Sequence, residues 1–119
     1  MCGMTSSERV VVVGQIHTLL GRRDELLELL LETQELVSEE PGCVSYAFAE
    51  VVGQPGRFLV TQEWRDEAAL EAHYRSVPFL RYQAAIGELL ARPSELRVHR
   101  VRETVVPGAG GPMDPRRAD

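Results

Sequence analysis

The stretch PGCVSYAFAEVVGQPGRFLVTQEW, residues 41–64, decides the fold. It holds two runs of β-forming residues, Cys43 to Val52 and Arg57 to Arg65, separated by Gly53-Gln54-Pro55-Gly56. A turn of that composition between two such runs predicts an antiparallel hairpin. In the second run Phe58, Val60, Gln62 and Trp64 share one face, since side chains alternate along a strand. Pro41-Gly42 in front of the hairpin is a helix stop.

Upstream of that stop, Arg22 to Glu40 carries leucines at helical spacing. Leu26, Leu27, Leu30 and Val37 form a stripe widened by Leu29 and Leu36, with Glu28, Glu32, Glu35 and Glu39 outside it. Before this amphipathic helix, Arg9 to Thr18 is a β-branched strand ended by Gly21. Val11, Val13, Gln15 and His17 lie on one side of it, and Val10, Val12, Gly14 and Ile16 on the other. Downstream, Asp66 is a helix N-cap for Glu67 to Arg75, and Ser76 with Pro78 opens a helix to about Ala91 with apolar face Phe79, Tyr82, Ile86, Leu89 and Leu90. A last strand covers Glu95 to Val106.

The order βαββ(αα)β predicts an α+β, ferredoxin-like domain: a four-stranded antiparallel sheet with its helices on one face. Residues 1–8 read as a polar, flexible leader, 9–106 as the domain, and 107–119 as a Gly/Pro-rich tail. The first strand and the hairpin lack a clean polar face, so the back of the sheet calls for cover, and a second copy is the simplest cover. The expectation is a homodimer joined sheet to sheet.

Composition narrows the chemistry. The 119 residues include 18 acidic and 13 basic side chains, for a net charge of −5. All the basic residues are arginine, and neither lysine nor asparagine occurs. Schiff-base lysines, P-loop lysines and asparagine-bearing triads are thereby excluded. An acidic chain is a poor partner for nucleic acid, whose phosphates need clustered positive charge. Arg97, Arg100 and Arg102, with Arg116 and Arg117 in the tail, are expected to serve ordinary surface pairing or dimer contacts. No run approaches the roughly 18 apolar residues of a membrane helix, and the start has no signal-peptide pattern, so the expected location is cytoplasmic, away from membranes. Cys2 and Cys43 form no disulfide framework, and three scattered histidines suggest no metal site.

Several local patterns occur together: Pro41-Gly42-Cys43-Val44-Ser45-Tyr46, Gly56-Arg57-Phe58 to Glu63-Trp64, Ala69-Leu70-Glu71-Ala72-His73 and Ser76-Val77-Pro78-Phe79. In this combination the chain resembles the antibiotic biosynthesis monooxygenase (ABM) domain family of dimeric α/β-barrel proteins, over about residues 9 to 103. That resemblance implies a pocket between sheet and helices. We assign to it Val13, Gln15, Tyr46, Phe48, Phe58, Val60, Gln62 and Trp64 from the strands, and His73, Phe79 and Tyr82 from the helices. Such a pocket suits a small, flat, apolar aromatic ligand oriented by one or two hydrogen bonds.

The resemblance implies cofactor-independent oxygenation of a quinol, anthrone or polyketide-like substrate. Proton removal from an electron-rich aromatic gives an anion that passes an electron to dioxygen, so no metal, flavin or other cofactor is expected. His73, with an unperturbed pKa near 6.5, is the expected base, while Gln15, Gln62, Tyr46 and Tyr82 could hold substrate oxygens. His73 could instead serve packing or ligand binding alone, and Trp64 and Tyr82 could be core. The haem-degrading relatives' asparagine, tryptophan and histidine fall near Gln15, His73 and Gln83. The anthrone oxidisers' asparagine and tyrosine fall on Val60 and Leu70. The chain therefore keeps the family scaffold and departs from both chemistries. A non-catalytic binding dimer and a small-molecule isomerase stand beside oxygenation as alternatives.

Overall fold

In the computed structural model, which describes residues 8–108, the strands are β1 (Arg9–His17), β2 (Cys43–Glu50), β3 (Arg57–Trp64) and β4 (Glu95–Val101). The helices are α1 (Arg23–Val37), α2 (Glu67–Tyr74) and α3 (Val77–Ile86), the last followed by a 3-10 turn, Gly87–Leu89. The strands form one antiparallel sheet in the order β2-β3-β1-β4, the ferredoxin-like arrangement. The leader apart from Glu8, and the tail from residue 109 onward with Arg116 and Arg117, lie outside the described residues.

Strand alternation decides what is buried. Val10, Val12 and Ile16 of β1, Phe58, Val60, Gln62 and Trp64 of β3, and Tyr46 of β2 all face the helices and are buried. The helices answer with Leu26, Leu30, Thr33 and Val37 from α1, Ala69, Leu70 and His73 from α2, and Ile86 from α3. Two apolar clusters result, one around Trp64 and one around Phe58, and Phe48 packs against both. Asp66 caps α2 by accepting from the Ala69 N–H at 2.9 Å, and Ser76 Oγ caps α3 through the Phe79 N–H. At the start of α1 the Arg22 side chain makes no cap. Asp24 and Glu25 in the first turn supply the negative charge that the helix N-terminus favours.

Three elements end well before their sequence pattern does. The first helix stops at Val37, where Ser38 to Glu40 turn into Gly42, which holds φ +82°. The third stops at Ile86 because the following backbone pairs with the end of β1: Leu19 N–H donates to Leu89 O and Ala91 N–H to His17 O. β4 stops at Val101 because its ladder partner β1 begins at Arg9, directly opposite. Among the described residues no strand lies past that pair.

The back of the sheet carries Val11, Val13, Gln15 and His17 of β1, with Leu59 and Thr61 of β3 and Arg97 and His99 of β4 beside them. Val13 and Leu59 remain 36% and 39% exposed there. Gln15 is corrected to this face. Its Oε1 accepts from Arg57 Nε and Nη2 at 2.9 and 2.7 Å, and its Nε2 donates to Glu95 Oε1 at 2.9 Å. Alternation explains the difference: with Val10, Val12 and Ile16 turned toward the helices, the odd-numbered Val13 and Gln15 must turn away. Gly14 takes the even-numbered position because β4 runs too close for a side chain. A Cβ there would sit 2.3 Å from Leu96 Cδ2 and 2.4 Å from the Glu95 carbonyl oxygen.

Candidate functional site

Between the sheet and α2–α3 lies a cavity of about 100 Å³. Five aromatic residues, Tyr46, Phe48, Tyr74, Phe79 and Tyr82, form most of its wall, with Val60, Ile16, Ile86 and Leu96 completing the apolar part. Polar lining comes from Gln62, Gln83 and Ser94. The Tyr46 ring meets Phe48 edge-on at 5.4 Å, and Phe48 stacks on Tyr82 at 6.1 Å. Rings so packed hold one another in place.

The tyrosines are neutral. Burial pushes the Tyr82 phenol up to about 12, and burial first, then the neighbouring Tyr82, pushes Tyr46 upward as well. Both therefore keep their protons at neutral pH, and each phenol O–H can donate a hydrogen bond. Gln62 is oriented by Trp64: the indole N–H can only donate, and it does so to Gln62 Oε1 at 2.9 Å. The Gln62 amide N–H₂ remains as a donor in the cavity wall.

Of the residues expected in the site, Tyr46, Phe48, Val60, Gln62, Phe79 and Tyr82 line the cavity together, whereas Phe58 does not. Gln15 does not, for the reason given above. Trp64 is fully buried one step below, in the core. His73 also sits one layer behind the wall. It is 1% exposed, stacks on Trp64 at 4.8 Å, and packs its ring against Tyr46, Tyr74 and Phe79, which do face the cavity. Its Nδ1 lies 2.9 Å from Glu40 Oε1, while Nε2 is buried without a protein partner. Burial lowers the His73 pKa more strongly than the Glu40 contact raises it, so the ring is neutral at pH 7.

Glu40 escaped the sequence reading because it lies 33 residues from His73 and sits in the turn after α1, whose own glutamates face solvent. The adjoining Pro41-Gly42 turn, which redirects the chain from α1 into β2, was its one local signal. Tyr74, Ser94 and Leu96 were missed because α2's last turn and the approach to β4 carry no apolar periodicity. Among the described residues no three His, Cys, Asp or Glu side chains gather as a metal-ligand set, and no helix is long and apolar enough to cross a membrane.

The antibiotic biosynthesis monooxygenase family profile matches residues 9–85, from β1 through nearly all of α3. The chain belongs to this family. Among the proteins it resembles, "Putative monooxygenase Rv0793" of Mycobacterium tuberculosis is 37% identical over 89 residues, covering 75% of this chain and 87% of that one. "Putative monooxygenase YcnE" of Bacillus subtilis is 35% identical over 90 residues, covering 73% of this chain and 92% of the relative. The solved structure of Rv0793 superposes with a TM-score of 0.77 at 28% identity, over 82% of this chain and 99% of that one. An ABM structure from Deinococcus radiodurans, at 22% identity, has the same fold with a TM-score of 0.77 over 84% of this chain and 99% of its own. The ABM scaffold is thus shared across the matched region, and the site chemistry rests on this chain's own residues.

Proposed function

We propose that the protein is a cofactor-independent monooxygenase acting on a small phenolic aromatic, of the quinol or anthrone type, in the cavity between sheet and helices. The observation that carries this reading is the wall itself: five aromatic rings with three neutral donors, Tyr46, Tyr82 and Gln62, and no charged side chain in the lining. Loss of the substrate's phenolic proton to solvent leaves an electron-rich anion. Three fixed donors stabilise that anion in a poorly hydrated site. The anion gives an electron to dioxygen, and recombination at a ring or methylene carbon inserts one oxygen atom. Two hydrogens leave the substrate, and the second oxygen atom departs in water. A four-electron oxidation is thus balanced by one dioxygen. His73, a ring's thickness from the cavity, acts as a positioning residue in this reading, holding Trp64, Tyr46 and Phe79 in register.

The test is oxygen uptake with a panel of hydroquinones, naphthols and anthrones, with product masses to follow the inserted atom. Tyr82→Phe should lower kcat/KM by about 10²-fold, the usual effect of removing one such donor. Binding without oxygen uptake across the whole panel would leave a ligand-binding protein in place of an oxygenase, and an isomerised product an isomerase.

The same reading takes the protein as a homodimer pairing through the back of the sheet, supported by the half-exposed Val13 and Leu59 beside the polar Gln15–Arg57–Glu95 group on that face. Sedimentation at micromolar concentration should give twice the chain mass of 13.3 kDa. Val13→Asp should shift it to one chain, and a wild-type monomer would refute the pairing.

A further inference from the structure

The cavity alone is too small for a fused-ring substrate. About 100 Å³ is less room than an apolar cavity of roughly 150 Å³ that accepts one benzene ring. A second recess explains how a larger molecule enters. Between α1 and the β2–β3 hairpin lies a space of about 180 Å³, lined by Leu27, Leu30, Leu31, Gln34, Glu50 and Phe58, and by Phe48. Phe48 is the one residue that lines both spaces. It is also the residue that packs on both core clusters. Together the two spaces amount to about 280 Å³.

The backbone and the ring of Phe48 are held very differently. β2 is an edge strand, and the outward N–H of Phe48 is fixed by Gln34 Oε1 of α1 at 2.8 Å. The ring is only half-buried and is held by packing alone, stacked on Tyr82 and edge-on to Tyr46. Rotation about its side-chain bonds therefore costs no hydrogen bond and leaves the strand in place.

We propose that Phe48 is a movable partition, and that the α1-side recess is a second subsite which takes the distal ring of a fused two- or three-ring aromatic while the oxygen-bearing ring lies against Gln62. The proposal rests on the function proposed above and names its substrate class. Recess chemistry agrees with the occupant: four leucine or phenylalanine side chains besides Phe48 present an apolar floor. Its two polar members are both engaged elsewhere. Gln34 Oε1 holds the Phe48 N–H, and Glu50 is paired with Arg23 at 2.8 and 2.6 Å and with the Gly56 N–H. Neither asks for a polar ligand.

Calorimetric titration under argon, where turnover cannot occur, separates the possibilities with hydroquinone and 1-naphthol as probes. Wild-type protein should bind 1-naphthol at least 10-fold more tightly than hydroquinone. Leu31→Trp fills the recess from an exposed position on α1 and leaves the core untouched. It should remove most of that preference by lowering 1-naphthol affinity several-fold more than hydroquinone affinity. Phe48→Ala should strengthen 1-naphthol binding three- to tenfold. If both probes bind and neither variant changes their ratio, the partition is refuted and the proposed function survives. If neither probe binds the wild type, the function is refuted and the partition with it.

Discussion

Trp64→Ala is expected to destabilise the protein by about 4 to 5 kcal/mol, the upper part of the range for removing a buried aromatic side chain. Trp64 is fully buried at the end of β3, opposite Val10 of β1 and Cys43 of β2, and it stacks on His73. Two costs fall together. Loss of the indole leaves a cavity that strands on either side hold open, because their registers are fixed by the ladder. It also strips the buried Gln62 Oε1 of its donor, which accounts for about 1 to 3 kcal/mol of that loss. Domains of this kind have total stabilities of about 5 to 15 kcal/mol, so the variant stands near the limit of folding. Trp64→Phe separates the two costs by keeping much of the volume and discarding the N–H. It should lose about 2 kcal/mol. Urea denaturation followed by far-UV circular dichroism measures both; a loss below about 1 kcal/mol for Trp64→Ala would show that the core relaxes around the hole.

Much of this arrangement is legible in the sequence. The hairpin 41–64 was readable because turn residues and alternation agree there, and the leucine stripe of α1 because its spacing has a single helical solution. Element ends were not readable, since each is decided by a distant partner. β4 ends where β1 begins, and α3 ends where residues 87–91 find the backbone of residues 17–19. Propensity along the chain carries neither fact.

The site was legible to the extent that strand parity was known. β3 offers one apolar parity with a tryptophan on it, so Gln62 and its neighbours were read onto the helix-facing side, and Tyr46 and Phe48 followed through the hairpin register. β1 has valines on both parities, so its pattern could not choose, and Gln15 fell on the wrong side. His73 was recognisable as special, whereas its depth was not. Burial of an imidazole depends on the carboxyl that meets it, and Glu40 arrives there only through the tertiary fold.

That depth gives His73 a signature in the pH dependence of stability. Burial holds its folded-state pKa below the ordinary 6.5, so below that pH the unfolded chain takes up a proton that the native ring refuses. Stability is then complete above 6.5 and falls as pH drops from 6.5 toward the depressed folded value, with a slope approaching about 1.4 kcal/mol per pH unit for one proton. The carboxylates act in a separate window. Arg23, aided by the Gly56 N–H, holds Glu50 at about 2, and Arg22 and Arg100 lower Glu25 and Glu67. Their stabilisation is present above about 4.5 and is lost only as pH falls below it. Urea midpoints between pH 5 and 7.5 isolate the histidine. His73→Phe should flatten the curve across that range, because the titrating group is gone. Glu40→Gln removes the contact that raises the His73 pKa, so the loss of stability should extend to lower pH than in the wild type. A wild-type midpoint that stays level from pH 7.5 to 5 would mean that the imidazole takes its proton in the native state as readily as in the unfolded chain, and that Glu40 rather than burial governs it.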